Sequence, residues 1–342
     1  MLDPLEENRL RSPLREDVRL ALVNRIWGAS SDRKLCAYIQ YYEDQCRHAD
    51  TAAERHSEVV DAIEMLKGNT ETRESLRRKL SSVDNQGSPG EIQVQVEALL
   101  ALVVRLWLMV NVGNVGPAWN PGQTQVHWTE GTIHTFINET FTPDHELDTQ
   151  VKLEKIFNAR NLQRISGIRV SWTDNIVDHL SMRDDDTRVL IFHHASFLHL
   201  HRDFNTGSPF TLEFLDETLR TLSLLLPPND RKTIKWFKQK QRQFNLDLQA
   251  GRGTHLNATA RQIENFKYWR DRLVILKQAF DESEPKTVSQ WWNDDRKKVQ
   301  WYTFWVAALV LALTIVFGLI QSISGIVQAW ASVKALHADY PS

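Results

Sequence analysis

The densest group of side chains able to hold a metal ion or move a proton is His193, His194, His199 and His201. On a helix His194 and His201 would lie two turns apart on one face, whereas on a strand His199 and His201 would share a face. Zinc asks for a third or fourth ligand from Cys, His, Asp or Glu, and the neighbourhood supplies Asp184 to Asp186 or Asp203 without a recognised spacing. His194, His199 and His201 are therefore weak candidate ligands. Histidines bonded to backbone or carboxylates at a domain surface are the more economical reading. No catalytic residue is assigned, and no cofactor is expected.

Other chemistry-bearing patterns reduce in the same way. The triplet His201, Arg202, Asp203 imitates the catalytic loop of protein kinases, but position 208 is Ser where that loop needs Asn, and the accompanying glycine-rich loop and Asp-Phe-Gly are missing. No G-x-S-x-G elbow, P-loop or H-E-x-x-H occurs. Asp184, Asp185 and Asp186 read as a solvated turn. The run RKTIKWFKQKQR contributes Arg231, Lys232, Lys235, Lys238, Lys240 and Arg242 without an acid, a candidate patch for anionic lipid with Trp236 and Phe237 beside it. Its competing reading is a solvated helix face whose aromatics enter the core. With 41 basic against 43 acidic residues and a formal charge of −2, no global field favours nucleic acid. Asn138 and Asn257 begin glycosylation sequons, to be used only if they face a lumen.

The elements that must position these residues read as mainly α, with a small α+β, winged-helix-like subregion. Residues 1–15 read as a flexible arm, 16–80 as an N-terminal helical region and 81–90 as a linker of Gly/Ser/Pro composition. Helical periodicity places one helix over Glu16 to Trp27 and a longer one from a cap at Asp32 to Gly68, whose polar middle calls for a partner or a break. The main domain spans 91–284. It opens on an apolar core helix, Glu91 to Asn111, interrupted by Arg105 and too short on either side of it to cross a bilayer. Thr129 is a candidate cap for a helix through Ile137, Val151 to Phe157 carries an apolar stripe, and Thr173 or Asp174 caps a helix over Asn175 to Leu180. GIRVSW (167–172) and RVLIFHH (188–194) read as strands. Helices follow over Thr211 to Leu226, from Asp230, and over Arg261 to Phe280. Cys36 and Cys46 lie about 15 Å apart on a helix, beyond disulfide reach, and read as free thiols of a reducing compartment.

The C-terminal region carries the strongest signal. Between Lys298 and Lys334 no charged residue occurs, and a helix of roughly 20 such residues spans the hydrocarbon layer. The expectation is a long helix over 285–326 containing a single transmembrane span at 302–324, then a short tail, 327–342, with Ser322 to Val333 lying in or near the interface as an amphipathic segment. Trp301, Tyr302 and Trp305 mark one rim and Trp330 the other. Arg296, Lys297 and Lys298 outweigh Lys334 and put the N-terminal side in the cytoplasm, with the organelle unspecified. The opening MLDPLEENRLRSPLRED lacks an apolar core and does not read as a signal peptide. Gly318, Ser322 and Gly325 would permit self-association.

WTDNIVDHL (172–180), RVLIFHHASFL (188–198), LDETLRTLSLLLPP (215–228) and the segment 291–325 together resemble a large uncharacterised group of filamentous-fungal membrane proteins, over about 96–333. The resemblance implies fungal origin, a single C-terminal membrane helix and a helical domain before it, and brings no reaction or catalytic residue. Such proteins are sometimes labelled magnesium-channel-like, but the second membrane helix and Gly-Met-Asn loop of that channel family are not found here, which argues against transport. The reading is a non-enzymatic, membrane-tethered adaptor or regulatory protein with the lipid bilayer, anionic lipid and a protein partner or a second copy as its contacts. The alternatives are a membrane-bound enzyme or metal-binding protein using His193 to Asp203, and an oligomeric channel component.

Overall fold

The computed structural model describes residues 3–30, 35–51, 53–83, 88–113, 124–143, 146–147, 151–204, 207–283 and 298–338. The chain divides into two units, Met1–Ser283 and Glu284–Ser342. It is mainly helical with one small sheet, as the apolar periodicity requires.

The first unit begins with packed structure where a loose arm was expected. Asp3 caps α1 (Pro4–Glu7), and Leu5, Leu10 and Leu14 are buried. The prolines and mixed charges of this stretch hide a leucine at every turn of the path, and burying each contributes about 2 kcal/mol. α2 (Glu16–Trp27) ends on Gly28 at φ 71°, a left-handed C-cap that favours glycine. The long helix expected from 32 to 68 is broken into α3 (Cys36–Arg47) and α4 (His56–Lys67), the break falling in its polar middle; Asp32 lies outside the described residues. α5 (Arg73–Val83) leads to α6 (Pro89–Leu108), opened by a capping box between Ser88 and Glu91.

α3, α4 and α5 all pack on α6, so the segment 81–90 joins helices of one core and does not separate domains. Two tyrosines fix the junction. Tyr38 Oη donates to the Leu106 carbonyl at 2.6 Å, an acceptor that the end of the helix leaves open, and Tyr41 Oη donates at 3.2 Å to the Arg105 carbonyl, which also accepts the Met109 N–H. α6 is the buried core helix its composition announced.

After α7 (Ile133–Thr140), capped by Thr132 where Thr129 was expected, and α8 (Ala159–Arg164), the chain builds its sheet. The stripe at Val151 to Phe157 is not helical; Asn158 caps α8 instead. The sheet has strand order β1-β3-β2, from β1 (Arg169–Thr173), β2 (Met182–Arg183) and β3 (Arg188–Phe192). β1 and β3 are parallel, with Trp172 opposite Ile191, and only the two-residue β2 is antiparallel to β3. The two main strands are therefore not the antiparallel hairpin that a winged-helix-like arrangement would require. Asp184, Asp185 and Asp186 form the β2–β3 turn at φ 51–59°, a left-handed region that Asp tolerates. Asp184 there accepts from Arg169 at 3.0 Å and pairs with Arg188 at 3.1 Å. Asn175 to Leu180 holds only a 3-10 turn, Ile176–Asp178.

α9 (Ala195–Phe204), α10 (Leu212–Leu225, capped by Thr211) and α11 (Arg231–Phe244, capped by Asp230) follow. The helix expected over Arg261 to Phe280 starts only at Arg270, as α12 (Arg270–Glu282). The reason is Glu217, buried on α10, whose carboxylate accepts the backbone N–H of Lys267 at 2.7 Å and of Trp269 at 2.8 Å. Those amides, which a helix would have used, are held instead in a bend at 267–269. Glu217→Ala leaves the buried Trp269 N–H and the part-buried Lys267 N–H unpaired and is expected to cost about 2–4 kcal/mol of stability, read by denaturant unfolding; a change under about 0.5 kcal/mol would show that water replaces the carboxylate.

The second unit, among the described residues, is one helix, α13 (Lys298–Ala338, 41 residues). Its stretch Tyr302–Lys334 is long and apolar enough to cross a membrane, and none of that span's apolar window is buried in the rest of the structure. The tail expected at the interface from 327 onward continues the same helix to Ala338; no proline interrupts the stretch from Ser322 to Ala338, and Gly325 is its one glycine. The helix is about 60 Å long at 1.5 Å per residue, twice the hydrocarbon thickness. Tyr302 and Trp330 are exposed, and the Lys334 ammonium sits 5.1 Å over the Trp330 ring. Arg296, Lys297 and the start of the helix expected from 285 lie outside the described residues, as do the side chains of Lys298 and Trp301.

Candidate functional site

Because β1 and β3 run parallel, the residues that follow them emerge at the same edge of the sheet, the position at which α/β sheets commonly hold ligands. Asp174 follows β1 and His193 and His194 follow β3. His194 Nε2 lies 2.6 Å and His193 Nε2 3.3 Å from the same oxygen, Asp174 Oδ1. The two imidazoles stack with centroids 4.0 Å apart. They face a cleft of about 220 Å³, walled by Tyr41 and Asp44 of α3, Trp172 of β1 and Phe244 at the end of α11.

Buried polar groups hold both strand ends in place. Asn175 Nδ2 donates to Asp178 Oδ2 at 3.0 Å, and the Asn175 side-chain carbonyl accepts the Asn111 N–H at 3.2 Å. Arg183 pairs with the wholly buried Asp178 at 3.0 Å. On the other strand, Asp247 accepts the N–H and the hydroxyl of Ser196 in the first turn of α9, fixing the turn that carries the histidines.

The ring nitrogens are individually assigned by their partners. The Asp247 N–H donates to His193 Nδ1 at 3.3 Å, so the His193 proton resides on Nε2 and points at Asp174. His194 Nδ1 is buried without a hydrogen-bond partner among the described residues, leaving Nε2 to bond Asp174. Burial, with the neighbouring His194, holds His193 below its ordinary pKa against the pull of Asp174 and Asp247. Partial desolvation would raise the Asp174 carboxyl, but the bonds from His193 and His194 overcome it and hold the group well below the usual carboxylate range. Its side chain is 49% exposed and lines the cleft.

Of the candidate ligands named from sequence, His194 alone belongs to this site. His201 turns into the core, bonding Ser208 Oγ at 2.8 Å and the Trp107 carbonyl at 3.0 Å, and His199 lies apart on α9. Helical spacing put His194 and His201 together, but α9 begins after His194, so the spacing does not apply. Asp174, read as a helix cap, was missed; Asn175 takes the cap and frees Asp174.

No known protein family, curated protein or solved structure matches this chain.

Proposed function

We propose that this chain is a membrane-tethered adaptor or regulatory protein, with a soluble unit that binds partners and does not turn over a substrate. The observation that carries this reading is α13, whose apolar side chains from Val306 to Val333 are exposed all round the helix and call for lipid to cover them. A binding role for the soluble unit is supported by its histidines: His193 Nδ1 is occupied by the Asp247 N–H and the His194 Nδ1 atom is buried, so neither meets a molecule in the cleft as a base. Co-purification from detergent-solubilised membranes tests the reading. A stoichiometric partner is expected, retained when Tyr302–Lys334 is exchanged for an unrelated span; turnover of a small molecule by the partner-free chain would overturn it.

Arg296, Lys297 and Lys298 on its N-terminal side support a cytoplasmic position for the unit before the helix. Asn138 and Asn257 are both exposed, so they report the side directly. Both are expected to stay unglycosylated in a eukaryotic host, and a mobility shift reversed by glycosidase would invert the topology.

α11 is the proposed contact with anionic lipid. Arg231, Lys232, Lys235, Lys238 and Arg242 are exposed, Lys240 is half-buried, and Phe244 and Leu248 are exposed at the end of the run. Phe237 and Thr233 take the buried face, which leaves the cations outward. Each cation near an anionic surface adds about 1 kcal/mol. A Phe244→Cys variant of the full chain, on a Cys36→Ser background, is expected to react several-fold more slowly with an impermeant maleimide in anionic than in neutral vesicles. Equal rates would remove lipid as the partner of this face.

A further inference from the structure

We propose that Asp174, His193 and His194 bind a first-row divalent transition-metal ion, of which zinc is the model, in the cleft at the ends of β1 and β3. Two imidazole nitrogens and a carboxylate oxygen lie within 4.8 Å of one another. Ligands about 2.0–2.1 Å from a tetrahedral ion stand about 3.3 Å apart, and His193 Nε2 is already 3.3 Å from Asp174 Oδ1. The 2.6 Å contact from His194 must widen, which a half-exposed carboxylate on a loop can allow. The set supplies three protein ligands and leaves the remaining position to water from the cleft, whose wall includes Asp44, itself paired with Arg47 at 3.1 Å. Nitrogen donors favour this class of ion over magnesium or calcium, which take oxygen.

The protons can be followed. In the ion-free form each Nε2–H donates to Asp174; ligation needs each Nε2 lone pair, so each ring shifts its proton to Nδ1 and stays neutral. For His194 this is open, since Nδ1 has no partner among the described residues. For His193 it sets Nδ1–H against the Asp247 N–H and forfeits the 3.3 Å bond between them. A ligating histidine ordinarily donates its second N–H to an acceptor. The site should therefore be micromolar, with His194 and Asp174 the principal ligands and His193 the weaker third.

The test is metal content of the full-length chain in detergent after equilibrium dialysis against micromolar zinc. About one ion per chain is expected, lost in Asp174→Asn and His194→Gln and weakened several-fold, not lost, in His193→Gln. Asp174→Asn keeps the size and the acceptor oxygen of a half-exposed residue, and circular dichroism checks that it is folded. The unsubstituted chain loaded with cobalt gives an independent readout, expected as the intense visible bands of four-coordinate cobalt. No ion retained by the unsubstituted chain, full retention in both principal variants, or a cobalt spectrum of the hexa-aquo type would each overturn the proposal.

Discussion

Arginine at positions 309 and 313 is expected to shift the full-length protein from the pellet to the supernatant of carbonate-washed membranes. Leu309 and Leu313 are exposed on α13 and no described residue covers them, so both charges would face hydrocarbon. Each costs about 2.5–3.5 kcal/mol near the middle of a span. Together they cost about 6 kcal/mol, a factor of about 10⁴ in partition. A 41-residue helix has length to spare and can slide to bring up other apolar turns, but a shift that removes both arginines from the layer would draw Lys334 or the cationic N-terminal end toward it. Conservative changes at the same sites, Leu309→Ile and Leu313→Ile, should leave the protein in the pellet. Retention of the double arginine variant would mean that α13 is covered by protein and the tether assignment is wrong.

The legibility of this chain follows the range of the interactions involved. α13 was readable because a run without charge is a local property that lipid and length interpret alone. α6, α10 and α11 were readable because caps and apolar periodicity act within a few residues. The break of α3 from α4 showed as polarity in the middle of the pattern, although its place did not. What sequence could not give were features created by distant partners. Glu217 reaches across about 50 positions to claim the amides of Lys267 and Trp269, and nothing near Arg261 signals the helix lost there. The Asp174–His193–His194 group likewise needs the parallel pairing of β1 with β3 before its members share an edge. The strand ends TDN and FHH were on view, but composition says nothing about which strand pairs with which or in what direction.

Acid should unfold the first unit well before its carboxylates are neutralised, because its core contains neutral histidines. Burial, with the nearby charge of Arg272, takes His179 from 6.5 to about 3, and burial takes His201 and His56 from 6.5 to about 4. All three are almost fully inaccessible and engaged as neutral rings: His179 Nδ1 accepts the Phe192 N–H at 3.1 Å while Nε2 meets Thr221 Oγ1 at 2.7 Å. Below 6.5 the unfolded chain takes up these protons and the folded chain does not, so stability is lost as pH falls from 6.5 toward 4 and is fully present above that window. At full slope each group contributes about 1.4 kcal/mol per pH unit, so three contribute about 4. For a stability of about 5–9 kcal/mol, the lower part of the usual range, that places the midpoint near pH 4–5.5. Fluorescence of the full-length chain in detergent, followed through urea titrations at several pH values, measures the slope. In His179→Gln, which can still accept from Phe192 and donate to Thr221, the slope between pH 6 and 5 should fall by about one third. A pH-independent stability across that interval would require charged, solvated histidines, and the packing of α9 and α10 around them would have to be wrong.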